Sequence, residues 1–157
     1  TYSPDANGTL RITFGKVEGY APFDGAEYAY YTTLAGVIEK EDPNSEEFEV
    51  PAKLKELYAS KDYGRYAHST GEMRVCFVAS NHTSGGNSGS PVIDANGYLI
   101  GLNFDRTWES TMSDIMFNPS VCRNITVDIR YVLFIMDKFA GAKHLVDEMT
   151  LVSGVEG

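Results

Sequence analysis

The sequence predicts a mainly β domain with helical trim, and three observations predict it. Short runs of β-branched and apolar residues recur along the chain, separated by turn residues. One such turn, Asp94-Ala95-Asn96-Gly97, stands between the runs 91–93 and 98–104 and is a strong hairpin signal. Helical spacing is confined to one inserted stretch and the end of the chain. With 157 residues, 43% hydrophobic and 22% charged, the chain suits one packed domain over 1–157 and not a disordered segment. The architecture that follows is a small β-barrel or sandwich.

Taken in order, Asp5-Ala6-Asn7-Gly8 reads as a turn. Leu10, Ile12 and Phe14 then alternate with Arg11, Thr13 and Gly15, the period of a half-buried strand. Asp24-Gly25 is a second turn. Residues 30–38 form another apolar, β-branched run, ending in the polar stretch 39–47. The spacing predicts a helix over 51–62. Pro51 suits the first helical position, where its missing N–H costs nothing. Leu54, Leu57 and Tyr58 fall on one face, and Gly64 is a stop. Residues 72–79 read as a strand, 81–90 as a glycine-rich loop and 124–128 as a short strand. Residues 129–139 read as a helix closed by Gly141. Leu133, Ile135, Met136 and Phe139 make it broadly apolar, so it packs on the body. A last short helix covers 142–149.

The charge excludes one class of partner. With 13 Lys+Arg against 22 Asp+Glu, the formal net charge is -9, and phosphate binding needs the opposite sign. No nucleic-acid partner is expected. No apolar run approaches the ~18 residues of a membrane span. Cys76 and Cys122 form either one bridge or two buried thiols, and no Cys/His spacing suggests a metal. Residue 1 is Thr and not Met, so the chain is read as mature, trimmed or partial.

The chemistry sits at Gly85-Gly86-Asn87-Ser88-Gly89-Ser90-Pro91. A nucleophilic serine must project from a tight turn, with backbone N–H groups aimed at the developing oxyanion. Gly86 can turn its amide inward, and Gly89 leaves room for substrate. An ordinary glycine-rich turn is the plain alternative. A phosphate loop needs a following GK[ST], which is absent. An α/β-hydrolase elbow needs a helix straight after the serine, whereas Ser90-Pro91-Val92-Ile93 reads as a strand.

GGNSGSP between two strands resembles the nucleophile loop of chymotrypsin-like serine peptidases, in its bacterial form. Three further runs extend the likeness downstream: 101–109, Ser113-Asp114-Ile115, and 127–134. Together with 9–17 and 39–43 upstream, they are similar to the bacterial serine dipeptidyl-peptidases of the dipeptidyl-peptidase 7 and 11 type. The resemblance covers nearly the whole chain. It implies a chymotrypsin-like β-barrel, the second of two, with an inserted helix and C-terminal helices.

The resemblance also assigns residues. Ser88 matches the nucleophile, and the backbone amides of Gly86 and Ser88 match the oxyanion hole. Asn103 and Phe104 would run beside the bound peptide. Asp105 matches the carboxylate that holds the substrate's free α-amino group. Arg106 occupies the position that sets the pocket for the second substrate residue. A permanently charged guanidinium grips a carboxylate through two parallel bonds, so Arg106 implies Asp or Glu there, as in the dipeptidyl-peptidase 11 type. Its plain alternative is a surface pair with Asp105 or Glu109. Trp108, Asp114 and Arg130 fit the family text and are read as structural.

A serine also needs a base. His68, His82 and His144 are the three histidines, and none is a convincing triad member. His82 borders the expected specificity pocket, and in glutamyl endopeptidases a histidine takes part in reading the acid. The simplest expectation is a C-terminal portion of a longer enzyme, inactive alone. Its partners would be the missing N-terminal barrel, the family's helical domain and peptides with a free N-terminus. The family implies a homodimeric parent, periplasmic or at the cell surface of a Gram-negative bacterium, with no metal or cofactor. A glutamyl endopeptidase-like protease and a non-catalytic β-barrel module are the competing readings.

Overall fold

Five antiparallel strands form the sheet in the computed structural model, which describes Gly8 and residues 10–152. They are β1 (Tyr31–Thr33), β2 (Arg74–Ala79), β3 (Pro91–Ile93), β4 (Leu99–Arg106) and β5 (Asn124–Asp128), in the spatial order β1-β2-β5-β4-β3. Among the described residues β1 and β3 are not paired to each other, so the sheet is open and does not close into a barrel. Among the described residues four α-helices accompany it: α1 (Leu34–Glu39), α2 (Ala52–Ser60), α3 (Ile129–Phe134) and α4 (Lys143–Asp147). A π-helical turn, Ile135–Phe139, continues α3.

Local chemistry explains most of these elements. In the β3–β4 hairpin, Asp94 Oδ1 accepts from the backbone N–H of Asn96 (2.8 Å) and Tyr98 (2.9 Å). Such an Asx turn fixes the reversal, and the same bonds hold the Asp94 carboxyl below its usual range. Helix α2 starts one residue later than the sequence suggests, with Pro51 as its cap. It ends on Lys61, whose φ of 54° turns the chain so that the Asp62 N–H reaches back to the Leu57 carbonyl at 3.2 Å. The run 30–38 splits between β1 and α1. The Leu34 N–H binds the Met73 carbonyl at 2.8 Å, and the chain then leaves the sheet to bury the Leu34 side chain.

The hydrophobic core lies on the helical side of the molecule. Leu34, Leu54, Met73, Phe134 and Val146 meet there. The ring of Tyr63 stands edge-on to Phe134 at 5.9 Å, a favoured aromatic geometry. Tyr66 donates to Asp137 at 2.8 Å across this core, and burial helped by that carboxylate pushes the phenol up to about 12. Both cysteines are free thiols; burial pushes Cys76 up to about 11, which keeps it an inert thiol.

The N-terminal run departs from expectation. Residues 10–16 are not part of the sheet, and Leu10, Ile12 and Phe14 are 91%, 82% and 90% exposed. The segment joins the body where it ends. Ser80 N–H binds the Lys16 carbonyl, Lys16 N–H binds Ser80 Oγ, both at 2.9 Å, and Val17 bridges Ala79. Its alternation is real, but nothing in the described residues covers it. Trp108, read as a packing residue, is likewise 86% exposed. The turn Asp5-Ala6-Asn7-Gly8 lies outside the described residues except for Gly8.

Phe134 has no exposed surface, so truncation leaves a cavity in the core to which all four helices contribute. Phe134→Ala is expected to lower unfolding free energy by about 3–5 kcal/mol in urea titrations followed by circular dichroism.

Candidate active site

Strands β4 and β5 carry the site because their facing rows are polar and buried. Along β5, Asn124, Thr126 and Asp128 are buried while Ile125 and Val127 are only half-buried. That inverts the usual pattern. Asn124 Nδ2 donates to Asn103 Oδ1 at 2.9 Å and to Thr126 Oγ1 at 3.2 Å. Asn103 Nδ2 in turn donates to the Asn87 carbonyl at 3.2 Å. A chain of amides thus runs from the sheet interior into the glycine-rich loop.

The backbone completes the attachment. Gly89 N–H binds the Asn103 carbonyl (2.7 Å), and Asn103 N–H binds the Ser90 carbonyl (2.9 Å). Inside the loop, Ser84 N–H binds Asn87 Oδ1 at 2.8 Å. Gly86 and Gly89 have φ of 91° and 82°, a region that side chains disfavour, and these two glycines make the turn possible. Ser88 sits between them, exposed, with its hydroxyl donating to the Phe104 carbonyl at 3.3 Å. No acceptor among the described residues takes the backbone N–H of Gly86 or Ser88. Two free amides beside an exposed serine are the donors an oxyanion would need.

Phe104 marks a bulge in β4. Asn103 pairs with Thr126 and Asp105 pairs with Ile125, so Phe104 is the extra residue between them. Bulges of this kind re-aim side chains at strand ends. Asn103 turns into the sheet, 5% exposed, so the site receives its backbone and its anchoring amide, not a lining side chain. Phe104 and Asp105 both remain exposed. Asp105 Oδ1 accepts the Arg106 N–H at 2.8 Å, and no ion pair engages its carboxylate among the described residues.

Arg106 is held in a way the sequence did not reveal. Its guanidinium grips Asp114 through two bonds, Nη1 to Oδ1 at 2.8 Å and Nη2 to Oδ2 at 2.7 Å, and Nη1 also reaches Ser113 Oγ at 3.1 Å. Neither Asp105 nor Glu109 is its ion-pair partner; Glu109 accepts from the Tyr20 hydroxyl at 2.7 Å. The hydrogen bonds from Arg106 hold the Asp114 carboxyl below the usual carboxylate range, and the same bonds raise Arg106. Arg130 pairs with Asp128 at the start of α3, a structural role.

The histidines are scattered. His82 lines the same small cavity as Arg106, with its ring 4.7 Å from Phe117 and its Nε2 buried without a hydrogen-bond partner. His68 bonds Thr70 in its own loop, and His144 is exposed on α4. None of them is hydrogen-bonded to Ser88.

An exposed serine between positive-φ glycines, with free backbone amides beside it, has the geometry a nucleophile loop requires. Residues 1–151 match the family described as Peptidase S46. The chain belongs to that family. It is 62% identical over 149 residues to the Asp/Glu-specific dipeptidyl-peptidase of Capnocytophaga gingivalis, covering 95% of this chain and 21% of that protein. It is 61% identical to the dipeptidyl-peptidase 7 of Phocaeicola vulgatus, over 96% of this chain and 21% of that one. Among solved structures, that of Porphyromonas endodontalis DPP11 in complex with the dipeptide Arg-Asp superposes with a TM-score of 0.89 at 57% identity, over 93% of this chain and 21% of the other. The chain therefore spans about a fifth of the length of the curated relatives it matches.

Two outcomes test this geometry. Asn103→Ala removes the acceptor of one Asn124 Nδ2 hydrogen and one of the two donors to the Asn87 carbonyl, and is expected to cost about 1–3 kcal/mol in urea unfolding. The lowered Asp114 carboxyl ties its stabilisation to pH with a definite sign. The contribution is full above the unfolded Asp value of ~3.9 and disappears as pH falls through the lower folded value. A carbon-13 titration of the Asp114 carboxyl is expected to show a midpoint below that of free Asp, returning upward in Arg106→Ala.

Proposed function

We propose that this chain is the nucleophile-bearing portion of a serine dipeptidyl-peptidase that releases N-terminal dipeptides with Asp or Glu as the second residue. The observation that carries it is the sequence of groups at the end of β4. The exposed, unpaired Asp105 carboxylate is followed at once by the Arg106 guanidinium, within one strand of Ser88. An ammonium held at Asp105 fixes where the peptide begins. A carboxylate held at Arg106 fixes what its second residue is. Relatives of near-equal identity include both Asp/Glu-specific enzymes and dipeptidyl-peptidase 7 proteins, so identity alone does not choose between them. Arg106 supports the acid-specific choice.

In this mechanism Ser88 Oγ attacks the carbonyl carbon after the second residue. Its proton passes to a base, and the oxyanion is met by the Gly86 and Ser88 amides. The peptide C–N bond then breaks, the leaving amine takes a proton, and a dipeptidyl ester remains on Ser88. Water hydrolyses the ester and frees the enzyme. The base and its carboxylate partner come from parts of the parent enzyme beyond this chain, and this portion alone does not turn over substrate. The open sheet and the exposed Leu10, Ile12 and Phe14 support a β-barrel completed within that parent. We carry over from the family a homodimeric parent located in the periplasm or at the cell surface, with 1–157 as one domain of it.

The test uses the full-length parent on fluorogenic Leu-Asp and Leu-Leu substrates. Leu-Asp is expected to be cleaved preferentially, and Arg106→Gly is expected to lower kcat/KM for Leu-Asp by about 100-fold, the loss of a charge-assisted pair. Unchanged preference in that variant refutes the assignment of Arg106.

A further inference from the structure

We propose that Asp114 is a positioning residue for acid recognition: by gripping one edge of the Arg106 guanidinium it turns the opposite edge toward the substrate carboxylate. The inference rests on the reading of Arg106 as the acid selector. It assigns a role to a residue that the sequence pattern leaves as structural.

The argument follows from donor geometry. A guanidinium carries five N–H donors in a rigid plane. The end-on fork, made of one hydrogen from each Nη, is filled by Asp114 Oδ1 and Oδ2. The remaining Nη1 hydrogen goes to Ser113 Oγ. What is left is the side-on fork, Nε–H together with the second Nη2 hydrogen. These two donors lie parallel on one edge, at the spacing of a carboxylate's oxygens. No group among the described residues takes either of them. Arg106 is thus saturated on one edge and open on the other.

Asp114 is not an incidental surface neighbour. Ser113, its chain neighbour, is 4% exposed, and Ser113 N–H binds the Ser110 carbonyl at 2.9 Å. Ser110 is itself buried, bonding the Arg123 backbone through Oγ on both its N–H (2.7 Å) and its carbonyl (3.1 Å). The clamp is therefore anchored to the chain just before β5, while Arg106 ends β4. A long side chain with many rotamers is locked before substrate arrives, which lowers the ordering cost of binding. Asp114 also neutralises a half-buried cation while the pocket is empty.

The test compares the full-length parent with Asp114→Ala and Asp114→Asn on Leu-Asp and on its neutral isostere Leu-Asn. Labelling of Ser88 by a small fluorophosphonate reports separately on the nucleophile loop. Asp114→Ala is expected to raise KM for Leu-Asp at least about tenfold, to change kcat less, and to shrink the Leu-Asp over Leu-Asn ratio in proportion. Asp114→Asn keeps one acceptor oxygen and is expected to fall between the two, which decides the matter if the alanine variant misfolds. A ratio held within about twofold in both variants overturns the proposal. So does a rise in the ratio, which makes Asp114 a competitor for Arg106, and so does a joint fall of both substrates and of labelling in Asp114→Asn, which makes it merely structural. A parent enzyme that cleaves Leu-Asn as well as Leu-Asp removes the acid-selector reading itself, and this inference with it; that result appears before any variant is made.

Discussion

The 2.9 Å hydrogen bond between the Asn124 and Asn103 side chains, sealed between β4 and β5, is the tie on which the site depends. A loop of glycines has little conformational preference of its own. It holds one shape only if something rigid holds it. Asn103 does so three times over, through its N–H, its carbonyl and its side-chain amide. Asn124 in turn fixes the Asn103 amide, orienting its donor toward Asn87. Buried amides are costly when unpaired, and Asn124 Oδ1 is already buried without a partner, so losing the bonds that seat the loop would add further unpaired groups to the sheet interior. The placement of Ser88 is in that sense a property of the sheet.

The molecule separates its stability from its chemistry. The apolar core, with Phe134 at its centre, lies among the helices beside β1 and β2. The polar row lies toward β4 and the nucleophile loop. Volume changes on the helical side cost stability, yet neither Ser88 nor Arg106 belongs to that core. Conversely, Asp105 and Arg106 stand at the far end of β4, away from that core.

Most of the fold was legible because local signals and tertiary environment agreed. The β3–β4 hairpin follows from Asp94 and Gly97, and α2 from the spacing of Leu54, Leu57 and Tyr58. Where they disagreed, the sequence misled. Alternation at Leu10, Ile12 and Phe14 says that one face is apolar; it does not say which polypeptide covers it. Residues 30–38 have the composition of a strand throughout, but burial of Leu34 bends the second half into α1. Ser88 and its glycines were visible as a motif, since turn chemistry is local. Asn124 and Asp114 were not, because their partners come from elsewhere in the chain. One signal was available in retrospect: Asn-Ile-Thr-Val-Asp in β5 alternates with short polar residues at every second position, the mark of a strand whose inward face bonds and does not merely pack.

The bulge at Phe104 acts as a phase shift. A regular strand sends alternate residues to opposite faces, so neighbours never share one. With one extra residue, Asn103 keeps its inward place while Phe104 and Asp105 both face outward and Arg106 is carried one step further round. On the proposed reading, recognition is encoded in the count of residues along β4 as well as in their identities. Deleting Phe104 would leave Asp105 opposite Ile125 and Arg106 opposite Asn124 but remove the second outward residue, so length here is a constraint of its own.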